Sequence, residues 1–378
     1  MRVSIVEPVG GHGGMNYYNS GLCNAFSELG CSVFLYTSFE TKESSIDKFK
    51  VNRPFVGIYG RASKYLRAFR YLKGLLSSLW SIRKRAGVFC HLHFFHYTYL
   101  ELVTCILARL FGLKIVVTVH DVESFSAHSG VSLVGLIFRL VDQLIVHNEF
   151  SKREVLRLLA GLGLSREISV IAHGNYLPYV RPVERDEACS KLGLSPEKKV
   201  ILFFGQIKKV KGLEVLIAAM PQILESHPDA VLLIAGKVWK DSFDEYNELI
   251  MDLGLRDFVI PHIRYIDDAM VDYYYSAADL VVLPYRRIYQ SGVLLMAMSY
   301  GAATLSSRLE PMQEIVDDGV DGFLFEMGNS ADLASVASKA LDGSVQLVGV
   351  QAVEKMKRAH DWKMIAQQHL EVYKKYVR

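Results

Sequence analysis

Lys208, Lys209 and Lys211 crowd into four positions of a 378-residue chain, between a hydrophobic run ending at Gly205-Gln206 and a segment opening at Gly212. Leu213, Leu216, Ile217 and Met220 then recur at helical spacing, so the lysines sit where a strand hands over to a helix N-terminus. Free amides and the positive end of the helix dipole favour an anion there, and ammonium groups add to that. Loop lysines are ordinarily just solvated. Here the strand–loop–helix setting favours an anion site built on these three lysines.

Two further segments have the same character. Gly10-Gly11-His12-Gly13-Gly14-Met15-Asn16 follows a first apolar run and precedes a helix expected from about Tyr17. Its glycines let backbone amides approach a ligand closely, and His12 and Asn16 are polar side chains aimed where a substrate would lie. A tight structural turn is the plainer alternative. The glycine spacing does not fit Gly-x-Gly-x-x-Gly, and no acidic residue ends the second strand, so a dinucleotide fingerprint is excluded. In Leu283 to Gly301, a polar loop carrying Arg286, Arg287 and Gln290 leads into an apolar helix that starts at Ser291-Gly292-Val293, whose amides form another phosphate-ready helix start.

His91, His93 and His96 follow an apolar strand, and His91 and His93 share one of its faces. A zinc site would use such a pair. No acidic or cysteine partner stands at metal spacing apart from Cys90, so a structural or ligand-lining role is the better expectation and no metal is assigned.

The elements that must position these residues are β-branched runs alternating with amphipathic segments, the pattern of parallel sheets covered by helices. Strands are expected near 3–6, 33–36, 88–93, 115–120, 144–147 and 169–171, and again near 200–205, 231–236, 259–261, 280–284, 303–305 and 323–325. The stretch 177–185, with two prolines and dense charge, reads as a linker. The expected fold class is therefore α/β, with two doubly wound, Rossmann-like domains facing a central cleft, residues 1–180 and 181–360. Hydrophobic residues make up 51% and charged ones 22%, enough core for two such domains. No apolar run approaches the roughly 20 residues that span a bilayer, and the start does not read as a signal peptide. Five scattered cysteines fit a reducing cytoplasm, and a net charge of +3 is too small to imply nucleic acid as partner.

In order and spacing, these pieces resemble glycosyltransferase family 4 over nearly the whole chain. The resemblance rests on Gly13-Gly14, His93, Thr118-Val119-His120-Asp121, Val146 to Lys152, Ile171 to Asn175, Gly205 to Gly212, Ala278-Asp279-Leu280 and Glu314 to Gly322. It implies a GT-B fold, a 181–360 domain that binds the nucleotide sugar, and a 1–180 domain on the acceptor side. A last helix within 361–378 would pack back on the first domain. It further implies transfer of a hexose from a UDP- or GDP-sugar to a glycan acceptor, a lipid-linked polysaccharide intermediate, with retention of configuration and without a metal or other cofactor. Gly13 and Gly14 would meet the donor, His120 the transferred sugar, Lys211 the distal phosphate, and His12, Asn16 and His93 the acceptor side. The family's usual arginine is Gln206 here, and its paired glutamates fall at Ile288 and Met296. Donor binding would then lean on Lys208, Gln290 and the amides of Ser291, Gly292 and Val293. An epimerase of the same fold, using Asp121, Glu149 or Glu7, and a non-catalytic glycan-binding or partner subunit remain as alternatives.

Residues 61–85 carry eight positive charges and no negative one. Tyr65, Phe69, Leu72, Leu75, Leu76, Leu79 and Trp80 fall on one helical arc, with Lys64, Arg67, Arg70 and Lys73 largely opposite and Gly74 a potential break. A basic amphipathic helix suits an anionic membrane surface, here the inner face of the cell membrane. An ordinary core-packing helix with a solvated basic face accounts for the pattern equally well.

Overall fold

A computed structural model describes residues 1–11, 14–41, 47–122, 131–240, 242–343 and 345–377, with the side chains of 131 and 132 excepted. The chain divides into two compact units, Met1–Gly174 with His360–Arg378, and Asn175–Ala359.

The first unit contains β1 (Arg2–Glu7), α1 (Met15–Glu28), β2 (Ser32–Ser38), β3 (Lys50–Phe55), α2 (Lys64–Lys84), β4 (Phe89–Phe94), α3 (Tyr99–Leu110), β5 (Lys114–Val119), α4 (Val131–Leu140), β6 (Gln143–Val146), α5 (Glu149–Gly161) and β7 (Glu167–Val170). Its sheet is parallel, in the order β3-β2-β1-β4-β5-β6-β7. The central strands are buried on both faces, which is why every residue of Lys-Ile-Val-Val-Thr-Val in β5 after the lysine is buried and all of these but Thr118 are apolar. β3 was not expected from the sequence. It reads Lys-Val-Asn-Arg-Pro-Phe because it is an edge strand, where one face meets water and a proline is tolerated. Gly74 does not break α2, which runs unbroken for 21 residues. A Cβ there would lie 2.8 Å from the Pro54 carbonyl oxygen, so this glycine lets the helix lie close against β3.

The second unit contains α6 (Arg185–Leu192), β8 (Lys199–Phe204), α7 (Leu213–Ser226), β9 (Ala230–Ala235), α8 (Asp244–Asp252), β10 (Val259–His262), α9 (Asp268–Ala277), β11 (Leu280–Leu283), α10 (Gly292–Tyr300), β12 (Ala303–Ser307), α11 (Glu310–Gln313), β13 (Phe323–Phe325), α12 (Ser330–Leu341) and α13 (Val345–Ala359). Its sheet, β10-β9-β8-β11-β12-β13, is again parallel. The stretch 177–185 is not a free linker. Its Arg181 and Val183 amides donate to Asp272 and to the Ser276 hydroxyl, and Arg185 pairs with Asp279 at 2.8 Å. These bonds fasten it to the second unit.

The last helix, α14 (Trp362–Lys374), belongs to the first unit and lies against α1. Trp362 is the reason that Gly21 and Gly174 are glycines, since a Cβ at either would come within 2.3 Å of its ring.

Candidate functional site

In the second unit the phosphate-ready residues gather at the carboxyl ends of β8 and β11. Gly205 follows β8 with φ 109°, and a Cβ on Gly236, just after β9, would lie 1.8 Å from the Gly205 carbonyl oxygen. Two backbones therefore touch where side chains would keep them apart. Lys209–Lys211 forms a single 3-10 turn, closed by Gly212 at φ 64°. A Cβ on Gly212 would meet the Pro284 carbonyl oxygen at 2.0 Å, so the turn is pressed onto the loop between β11 and α10, where the Arg286 amide donates to the Val210 carbonyl at 2.9 Å.

This packing sets Lys211 with its Nζ 3.5 Å from the centroid of the buried Tyr285 ring. Removal from water, and then repulsion by Lys208, bring the ammonium down to a pKa of about 7. The Tyr285 side chain neighbours Ser291, whose Oγ accepts from the Leu294 amide at 3.2 Å as the N-cap of α10. Gly292 and Val293 begin that helix, and Val293 adjoins Gly205, where a Cβ would lie 3.4 Å from its Cγ2. Gly205, Lys211, Ser291, Gly292 and Val293 are thus brought together. First-turn amides lack intrahelical acceptors, so an anion here would meet both donors and charge.

Other basic groups are turned to structural duty. Arg286 pairs with Glu214 at 2.7 Å, and Lys209 with Glu245 at 3.1 Å. Lys208 lies over the Trp239 ring at 5.0 Å. Gln206 is exposed, and Gln290, Ile288 and Met296 are half-buried.

In the first unit, four neighbouring parallel strands each deliver a histidine at or just beyond the carboxyl end. His93 belongs to β4, His120 follows β5, His147 follows β6 and His173 lies past β7. His93 Nδ1 is 2.9 Å from His120 Nε2, and His120 Nδ1 is 3.3 Å from His147 Nε2. His147 Nδ1 ends the row against the Ile171 carbonyl at 3.0 Å. The Tyr18 ring of α1 meets all four imidazoles edge-on at 4.9–5.7 Å, and Phe95 stacks on His120 at 4.6 Å. Burial, and for His93 and His120 also the neighbouring imidazoles, hold these two well below the ordinary histidine range. Burial brings His147 down to about 4. His120 is therefore not a free side chain awaiting a sugar, since both its ring nitrogens are bonded to other histidines. The spacing was legible, as successive members of the row stand 27 residues apart, but that interval means nothing until the strands are known to be neighbours in register.

His91 holds no metal-ready nitrogen either. Its Nε2 is 2.7 Å from Thr118 Oγ1 and its Nδ1 is 2.6 Å from the Tyr373 hydroxyl. Among the described residues no group of three His, Cys, Asp or Glu side chains is placed to hold a metal ion.

Of the glycine loop, His12 and Gly13 lie outside the described residues. Gly14, at φ 83°, caps α1, and Asn16 has a buried Oδ1 without a hydrogen-bond partner among the described residues. The loop hangs on Glu7, which the sequence had not marked as structural. Its buried carboxylate accepts from the Val9 amide at 2.7 Å, the Gly10 amide at 2.9 Å and Asn19 Nδ2 at 2.9 Å. Burial outweighs those three bonds and raises its pKa to about 7.

A cavity of about 530 Å³ opens beside this loop. His93, Tyr59, Tyr71 and Leu100 line it, and so do Lys64 and Arg67 of α2. Arg67 was expected on a solvated face; its Nε is instead buried and without a hydrogen-bond partner among the described residues.

Comparison with known proteins agrees with this architecture. The family profile described as Glycosyltransferase Family 4 matches residues 12–174, and that described as Glycosyl transferases group 1 matches 198–342. An uncharacterized glycosyltransferase of Methanocaldococcus jannaschii is 31% identical over 187 residues, which are 48% of this chain and 46% of that protein. D-inositol 3-phosphate glycosyltransferase 1 of Catenulispora acidiphila is 28% identical over 230 residues, 57% of this chain and 53% of that one. The matched segments span about half the length of these curated relatives. Among solved structures, Anabaena HepE in complex with UDP-glucose superposes with a TM-score of 0.74 over 99% of this chain and 100% of its own, at 17% identity, a likeness of fold. Matched in both units by these profiles, the chain belongs to glycosyltransferase family 4 and has the GT-B fold.

Proposed function

We propose that this protein transfers a hexose from a UDP- or GDP-sugar to a hydroxyl of a glycan acceptor carried on a lipid, with retention of configuration. The observation that carries the proposal is the convergence of Lys211, the Gly205 turn and the α10 helix start, joined through Tyr285 and Ser291. As the sugar–phosphate bond breaks, positive charge grows on the sugar and negative charge on the departing diphosphate. A partly desolvated ammonium beside free amides stabilises the second of these charges most where it is fully developed. The acceptor hydroxyl attacks from the face that the diphosphate leaves, and its proton passes to a phosphate oxygen, so no protein base is required. HepE, whose fold this chain shares, is described in complex with UDP-glucose, which supports a nucleotide-sugar donor.

Two of the three acids that the epimerase alternative would use are otherwise placed. Glu7 is spent on the glycine loop, and Glu149 is exposed at the start of α5 beside Lys152.

The lipid part rests on α2. Its arc of apolar residues is split, with Leu75 and Leu79 buried while Tyr65, Phe69 and Trp80 are 89%, 65% and 59% exposed. Lys73 and Lys84 flank this exposed stripe. Aromatic rings beside lysines suit peripheral attachment to anionic lipid at the inner membrane face. Among the described residues no helix is long and apolar enough to cross a membrane.

The test is thermal stabilisation by a panel of UDP- and GDP-hexoses, followed by nucleotide release on addition of lipid-linked glycan acceptors. One base should raise the melting temperature, and release should require an acceptor. Epimerised donor formed without acceptor would establish the rival reading, and no stabilisation with no release would end both.

A further inference from the structure

The buried face of α14 consists of Trp362, Ile365, Ala366, His369, Val372 and Tyr373, the spacing of a helix laid on a core. His369 is out of character there. It stands midway along the face and is fully buried, at a position where packing alone calls for leucine or isoleucine. The Ile365 carbonyl, 2.9 Å from His369 Nδ1, can only accept, so the ring carries its proton on Nδ1 and a lone pair on Nε2. That second nitrogen is buried and has no hydrogen-bond partner among the described residues.

A further proton on Nε2 would place a charge and an unmet donor in the core. The rings around it offer no acceptor. Phe26 of α1 lies at 6.0 Å and His91 of β4 at 5.6 Å, and both nitrogens of His91 are already engaged by Thr118 and Tyr373. From β6, His147 repels any charge on His369, and from α1 and its end Tyr18, Cys23 and Cys31 face the neighbouring Tyr373. β1 brings one carboxylate to this face, Glu7, level with His93 by the register of Ile5 with His91. It is occupied by the Val9 and Gly10 amides and by Asn19. The charges of α14 itself point away, since Lys363, Glu371 and Lys374 are exposed, while Asp361 caps the helix and Lys375 pairs with Glu167 of β7 at the surface.

We propose that α14 is a proton-released strap: the neutral His369 ring lets it lie on α1 and the sheet, and a proton on Nε2 detaches it from the rest of the first unit. Burial, only partly offset by the Ile365 bond and reinforced by His147, lowers the docked His369 from 6.5 to about 4. The docked helix thus binds this proton less readily than the released one. Its contribution to docking is complete above about pH 6.5 and is lost as pH falls towards about 4. Glu7, raised to about 7, works in the opposite sense and keeps its proton in acid. Release withdraws Trp362 from the Tyr18 ring, which it abuts at 5.3 Å and which in turn meets the four imidazoles of the histidine row. The strap operates whatever the chain transfers.

Hydrogen–deuterium exchange of the full chain between pH 7.5 and 4.5, corrected for intrinsic amide rates, tests this. Protection of the α14 amides should fall roughly tenfold per pH unit below about 6.5, while β5 and α12 keep theirs, and return to pH 7.5 should restore it. His369→Phe, a ring that does not titrate, should hold α14 protected throughout. Lys375→Gln removes the surface ion pair and should leave the wild-type pH dependence in place. Nitrogen-15 spectra of the wild type should show docked His369 neutral with its proton on Nδ1, charging only as α14 begins to exchange, a readout independent of whether His369→Phe folds. Constant α14 protection, loss in step with β5, or an unaltered pH dependence in His369→Phe overturns the proposal. So does a pH dependence abolished by Lys375→Gln, or a charged His369 in the docked helix.

Discussion

The Lys211 ammonium stands 3.5 Å from the centre of the Tyr285 ring, and Tyr285 in turn neighbours the Ser291 side chain that caps α10. One tyrosine thus ties the charge to the helix start. Lys211→Ala should lower nucleotide release by roughly 10²–10³-fold, the usual loss for removing one preorganised charge stabiliser. Near-normal release in that variant would refute the phosphate role.

With its pKa near 7 in the unliganded protein, Lys211 is mostly charged below that pH and mostly neutral above it. Phosphates bind the charged form, so donor affinity should fall roughly tenfold per pH unit above about pH 7. Lys211→Arg keeps its charge throughout and should flatten the profile, which calorimetric titration between pH 6 and 9 would show.

Glu7 titrates in the opposite sense. Its pKa is raised in the folded protein from 4.5 to about 7, so the folded state holds the proton more tightly than the unfolded one. The stability this contributes is complete below about pH 4.5 and lost as pH rises to about 7, a difference of about 3 kcal/mol. Glu7→Gln does not titrate and should gain on the wild type over that interval. Denaturant unfolding at pH 5 and pH 8 measures this, and a constant difference between the two proteins would contradict it.

Trp362 fills the space left by Gly21 and Gly174. Trp362→Ala should cost about 3–5 kcal/mol. Gly21→Ala should also destabilise, but much less in the Trp362→Ala background, because the atom it strikes is gone. Strict additivity in that double-mutant cycle would disprove the contact.

Exposed Phe69 and Trp80, with Lys84 Nζ 4.9 Å from the Trp80 ring, predict binding to anionic vesicles. Phe69→Ser with Trp80→Ser should abolish sedimentation with the vesicles, and Lys73→Glu with Lys84→Glu should remove its salt sensitivity. Arg70 is a poorer choice for such a test, since it donates to the Gly57 carbonyl at 3.0 Å. Unchanged sedimentation in both double variants would remove the membrane reading.

Much of this was legible in the residues. Buried parallel strands are apolar on both faces, so the central runs of both sheets could be placed, and glycines beside lysines marked the turn after β8. β3 escaped because an edge strand needs no apolar face. The arc on α2 was visible, but not its division, which depends on Gly74 settling against Pro54 and Phe55. Arg67 looked solvated because the helical projection says nothing about a cavity built by other segments. The histidine row was present as an interval of 27 residues, yet only strand register turns an interval into hydrogen bonds.

Packing of α14 onto α1 has a consequence for how the protein is made. The first unit is interrupted by the whole of the second, and Tyr18, Gly21 and Gly174 meet Trp362 only after the ribosome has synthesised everything between. At roughly 5–20 residues per second, the nascent first unit waits on the order of ten seconds or more with that apolar groove open. Its second unit, contiguous in the chain, has no such wait and is free to fold first.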